Sequence, residues 1–285
     1  MSANIVSEIF SYGFMQNAIL VGLVLSIMLP VVGIIVYLRK IIFLSDTLGQ
    51  VSLAGASFAV FLSTTLSLSI NNDIVIIIWT IIGAIFIQYL IDKIKDYQEV
   101  SLMITHSVSI CLVMILLSQS GGYSSTIFSL LFGNIVGITS DYVVLITISS
   151  VIVLLLLSML YRKILISILD QKQSHLRGIN PTFYKYLTIV LISIIISLAI
   201  KVVGVMLVAT MLCLPILVSN LISRSLKQTV IYSIIVCLIS FIGGIIISFY
   251  YNISGSAIIV LIVLVLYFIT SLYKFIQRKA YGTNN

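Results

Sequence analysis

The sequence predicts an all-α protein, a polytopic transmembrane helical bundle of about nine spans, within a range of roughly eight to ten. Two observations carry this. First, the chain is 61% hydrophobic and 8% charged, far too apolar for the surface of a soluble domain, and apolar stretches long enough to span a bilayer recur along it. Second, fourteen of the fifteen Lys and Arg residues fall in alternate gaps between those stretches. They are Arg39, Lys40, Lys93, Lys95, Arg162, Lys163, Lys172, Arg177, Lys185, Arg224, Lys227, Lys274, Arg278 and Lys279, and only Lys201 lies in the other set. Cytoplasmic loops carry such an excess, so the pattern predicts a cytoplasmic C-terminus and an external N-terminus.

Each span follows in order. The first runs from Met15 to Leu38 and the second from Ile41 to Ile70, with Asn71, Asn72 and Asp73 as the external turn. The third, Ile74 to Ile91, ends in the charged run Asp92 to Asp96. The fourth is Val100 to Leu117. Thr126 to Ile138 is too short to cross and reads as a re-entrant or interfacial piece on the outer side. The fifth, Tyr142 to Leu160, leads into a cytoplasmic loop that reaches Lys185. Spans six (Tyr186 to Ile200) and seven (Val202 to Ile222) are nearly continuous, and Val230 to Tyr250 and Ala257 to Leu272 complete the set. No polar gap is of domain size, so 1–285 reads as a single transmembrane domain, with 164–185 as a cytoplasmic loop carrying a short helix. The first apolar segment follows an uncharged or acidic start and is long enough to span, which speaks against a cleavable signal peptide.

The net charge of +7 reports topology and an affinity for lipid headgroups rather than for nucleic acid. Cys111, Cys213 and Cys237 stand singly in apolar segments and read as buried free thiols. No internal repeat is evident, which weighs against transporter folds built from inverted repeats.

Few residues could carry chemistry. Asp46 leads into a long apolar run, with Gln50 one helical turn further on the same face. Asp46 reads either as a helix cap, a role Ser45 could share, or as an intramembrane ligand lining a pathway. Glu99, Met103 and His106 stack on one face of the fourth span, and carboxylate, thioether and imidazole are all transition-metal ligands. They also fit a plainer role as a helix-dipole partner and a hydrogen-bonded membrane histidine. No phosphate-binding G-x-x-x-x-G-K-[ST] loop occurs, and no Ser/His/Asp or HExxH set is present, so the chain reads as no enzyme; any ATP hydrolysis belongs to another polypeptide. The loop from Asp170 to Gly178 reads as a short helix stopped by glycine, either a solvated connector or a docking element.

Several stretches resemble, nearly end to end, the membrane permeases of ABC importers for zinc, manganese and ferrous iron. They are Met15 to Ala18, Ser45 to Gly55, Leu131 to Ile135, Asp170 to Gly178, Val202 to Pro215 and Ser254 to Val260. The family's second-span motif G/S-D-x-[IL]-[SG]-H-x-x-L-x-G matches at Asp46 and departs at Gln50, where the family carries histidine. The resemblance implies a bacterial cytoplasmic-membrane permease, working as a homodimer, with no permanently bound cofactor. Its cargo would be a divalent transition metal, zinc or manganese ahead of ferrous iron. Its partners would be a cytoplasmic ABC ATPase and an external solute-binding lipoprotein or periplasmic protein. Asp46, with the Gln50 position beside it, would mark the metal pathway, and Glu99, Met103 and His106, by their shared helix face, are the further candidates along it. Asp170, Ser174, Leu176, Arg177 and Gly178 would form the ATPase-coupling helix. A secondary, proton-coupled metal transporter, an ABC permease for a siderophore- or cobalamin-like chelate, and a membrane scaffold or intramembrane enzyme are the competing readings.

Overall fold

The structure, a computed structural model, describes residues 13–65, 72–94, 97–119, 130–133, 139–169, 174, 176–251 and 254–280. Among these are nine helices long and apolar enough to cross a membrane, and no strand. They are α1 (Gly13–Leu38), α2 (Leu44–Thr65), α3 (Asn72–Lys93), α4 (Gln98–Gln119), α5 (Ser140–Leu169), α6 (Pro181–Val203), α7 (Val205–Ile222), α8 (Leu226–Tyr251) and α9 (Gly255–Ala280). Nine spans agree with the expected number. Several boundaries differ: α2 starts at Leu44 rather than Ile41, α8 at Leu226 rather than Val230, and α9 runs past Leu272 to Ala280, while two further differences have a readable cause. Helix α5 continues past Leu160 because its last turns are amphipathic: Arg162 and Lys163 point outward while Ile164 and Ser167 are buried. Helix α6 starts earlier, at Pro181, because Asn180 caps it, accepting from Thr182 N at 3.1 Å and Phe183 N at 3.5 Å.

The core is made by α1, α2, α6 and α7, whose buried Leu, Ile and Val side chains interlock. Outward faces stay apolar, as at Ile74, Ile78, Ile82 and Phe86 on α3 and Val144, Ile148, Ile152 and Leu155 on α5. Apolarity on all sides marks helices that meet lipid or one another, not water. Several buried hydroxyls are satisfied within their own helices: Ser57 donates to Leu53 O, Thr105 to Ser101 O and Ser109 to Thr105 O. Pro215, inside α7, leaves the Met211 carbonyl without its helical donor, and the Cys237 thiol of α8 supplies one at 3.6 Å. Cys237 is thus buried as expected, but Cys111 is exposed and Cys213 only half-buried.

Two polar ties fix helix ends on opposite sides of the bundle. After α1 the chain turns through Lys40, at φ 58°. Arg39 donates through Nη2 to Gln88 Oε1, and Gln88 Nε2 donates to Asp92 Oδ1 at 3.1 Å, so the turn is tied to α3. Burial pulls the Arg39 guanidinium down to about 10, against the opposing pull of Asp92, so it stays charged near neutrality. At the other end of α6, Lys201 donates to both oxygens of Asp73, at 2.8 and 2.9 Å, and its ammonium sits 4.3 Å from the centre of the Tyr142 ring. The one cation outside the basic set is therefore neutralised by its neighbour.

Of the expected re-entrant piece, Leu130 to Phe132 is helical and packs against the α6–α7 junction; residues 120–129 and 134–138 lie outside the described residues.

Candidate functional site

Asp46 lies in the first turn of α2, where the helix dipole favours an anion. It is not the cap. The helix begins at Leu44, whose N–H donates to Ile41 O at 2.9 Å, so Ser45 and Asp46 are already inside it. Its neighbours are His106 of α4 and, through Ser45, Cys213 of α7, so this turn packs against two other helices.

Asp46 Oδ2 and His106 Nε2 are 3.1 Å apart, with side chains 35% and 22% exposed. The Phe43 ring tilts against the imidazole, centroids 5.3 Å apart, and limits its rotation. Asp46 forms part of the wall of a cleft of about 560 Å³. Phe43, Ser45, Glu99, Met103, Met206, Thr210 and Cys213 also line it. Glu99, Met103 and His106 thus remain together on α4, which packs along α2, and the first two face the cleft. Gln50 is half-buried, one turn beyond Asp46, and is not part of the cleft wall.

Sequence reasoning passed over Ser45, Met206, Thr210 and Cys213 as wall residues. The Cys213 thiol lies 3.4 Å from Ser45 Oγ and 3.5 Å from Ile42 O, so it braces the entry to α2 from across the cleft. Its one readable signal was a polarizable side chain alone in an apolar span. Among the described residues, no three of His, Cys, Asp and Glu come close enough together to hold a metal ion, so a single chain presents a carboxylate–imidazole pair and not a complete site.

The loop before α6 keeps its glycine stop. Ile179 N donates to Ser174 O at 3.0 Å across Gly178, whose φ is 68°. That is the wide hydrogen bond of a helix closed by a left-handed residue. Ser174 is buried and its hydroxyl donates to Ile179 O at 2.9 Å, locking the turn from inside. Leu176 is 87% exposed beside exposed Arg177. Asp170, Lys172 and His175 lie outside the described residues.

Among the described residues, nine apolar helices long enough to cross a membrane, with a cleft that carries the Asp46 carboxylate, define a polytopic membrane protein. The chain belongs to the ABC 3 transport family, whose model matches residues 11–274. It is similar to the manganese import system permease protein ScaB of Streptococcus gordonii, 27% identical over 98% of this chain and 99% of the relative. It is also similar to the high-affinity zinc uptake system membrane protein ZnuB of Buchnera aphidicola subsp. Schizaphis graminum, 29% identical over 90% of this chain and 97% of that one. Among solved structures it matches PsaBC from Streptococcus pneumoniae in complex with Fab, with a TM-score of 0.79, 27% identity and 95% of each chain covered.

Proposed function

We propose that the chain is the permease subunit of an ATP-driven importer that carries a divalent transition metal ion, zinc or manganese, across the bacterial cytoplasmic membrane. The observation that carries this reading is the Asp46–His106 pair, set between two apolar helices beside a cleft in a member of an ABC transport family. The relatives' names supply the two candidate metals. Carboxylate oxygen and imidazole nitrogen suit both ions. Two copies of the chain pair about the pathway. A separate cytoplasmic ATPase engages the turn around Leu176 and Arg177, shaped by Ser174 and Gly178, with Asp170 a further coupling residue of the same loop. An external binding protein delivers the ion. The basic ends of α1, α3, α5, α7 and α9 face the cytoplasm, so the N-terminus is outside.

ATP binding would draw the two docking turns together and switch the pair between outward- and inward-facing states. The chain lowers a barrier and makes no covalent bond. Membership of an ABC family weighs against a proton-coupled secondary transporter. The test is metal accumulation in a strain lacking this chain, restored with the chain and its ATPase. Recovery of zinc or manganese is expected. Recovery of chelated iron or cobalamin alone would select a chelate permease, and accumulation indifferent to the chain would overturn the reading.

A further inference from the structure

The Asp46–His106 pair has a geometry that does more than join two helices. Two donors about 2.0–2.1 Å from one ion at a near-tetrahedral angle stand roughly 3.3 Å apart. The observed separation of 3.1 Å between Asp46 Oδ2 and His106 Nε2 needs almost no adjustment to accept an ion between them. Both side chains are partly exposed, so neither must be dug out of the core. Phe43 packs on the imidazole and holds it toward the carboxylate. Gln50 shares a helix face with Asp46, but its group is a neutral amide. An amide oxygen competes poorly with imidazole for a transition metal.

A single chain supplies two donors, and no third His, Cys, Asp or Glu joins them among the described residues. A four-coordinate ion needs two more. In the pair of copies proposed above, a second chain related by a two-fold axis would supply an identical pair. Two carboxylates then cancel the charge of a divalent cation, which lowers the cost of holding it away from water. Two imidazoles complete the shell without adding charge.

Resting on the permease reading above, we infer that His106, and not Gln50, is the nitrogen donor that joins Asp46 in holding the ion in transit. The assignment makes α4 a wall of the pathway equal in standing to α2. It also sets Glu99 and Met103, which share the His106 face and line the cleft, along the approach to the ion.

The test is uptake of Zn²⁺ and of Mn²⁺, each alone, by cells that carry the whole transporter with this chain in variant form, normalised to the chain present in the membrane. The variants are Asp46→Asn, His106→Asn, Gln50→Ala, and His106→Asn combined with Gln50→His. Asparagine at 106 removes the ligand and is too short to reach Asp46 as Nε2 does. His106→Gln is measured beside it: its Nε2 keeps a donor toward Asp46 but its amide is a poor ligand, so a merely positioning role would survive it and full uptake by His106→Gln overturns the assignment. Asp46→Asn and His106→Asn are each expected to lose about tenfold or more of uptake. Gln50→Ala should stay within about twofold, and the combined variant should regain uptake, because position 50 presents its new imidazole to Asp46 from one turn away. Full uptake by His106→Asn, with Asp46→Asn inactive, overturns this assignment and leaves the permease reading standing. Full uptake by both overturns the pathway reading itself. Loss in Gln50→Ala as deep as in His106→Asn overturns the exclusion of Gln50.

Discussion

Gly133 and Gly204 meet backbone to backbone: a Cβ on Gly204 would lie 2.5 Å from Gly133 N and 2.7 Å from Leu131 O. The contact is reciprocal, since a Cβ on Gly133 would meet the Val203 carbonyl at 2.7 Å. Gly204 also has φ 86° and ψ 155°, a region essentially reserved for glycine. Close approach and backbone angle thus demand the same residue, and the short piece after Leu130 is pinned to the α6–α7 junction. Gly204→Ala is expected to cost about 1–3 kcal/mol in backbone strain alone, and the clash adds to it. Thermal unfolding in detergent should show a lower midpoint and less monodisperse protein. An unchanged midpoint would show that the junction can relax freely.

Lys201 and Asp73 form a pair that remains partly exposed, at 43% and 29% of their side-chain areas, so solvent screens it. A double-mutant cycle with Lys201→Ala and Asp73→Ala should give a coupling of about 0.2–1 kcal/mol at low salt. The coupling should shrink in 1 M salt, where the screening length falls to about 3 Å. A coupling that salt leaves untouched would mean the pair is shielded by neighbours rather than by water.

Leu176 is an apolar side chain held out into solvent by a turn whose glycine and buried serine fix its shape. Exposure of this kind on a rigid turn suits the apolar anchor of an interface. Leu176→Asp should abolish co-purification of the ATPase while leaving the permease in the membrane, and Arg177→Glu should weaken it less, with a salt-dependent effect. A full complement of ATPase on the Leu176→Asp variant, with normal hydrolysis, would reduce the turn to a connector.

The parts legible in the sequence were those set by one segment at a time. Apolar length and alternating charge located nine spans, and helical spacing placed Glu99, Met103 and His106 on one face. Gly178 announced its own stop. What escaped depended on helices distant in the chain. Nothing within α2 or α4 alone says that Asp46 meets His106, or that Cys213 reaches Ser45. The early start of α6 was readable and was passed over: Asn180 before Pro181 is a capping residue before the residue favoured at a first helical position. The extension of α5 was masked by Arg162 and Lys163, which end the apolar run but not the helix.

Asp46 carries the central claim, and Asp46→Asn tests it with little structural disturbance, since asparagine is nearly isosteric and removes only the charge. Zinc and manganese accumulation should be compared between this variant and the unmodified chain, at matched amounts in the membrane and with the ATPase bound. The prediction is loss of uptake in the variant with assembly intact. Normal accumulation by Asp46→Asn would contradict the account, leaving this carboxylate as a structural feature of the first turn of α2.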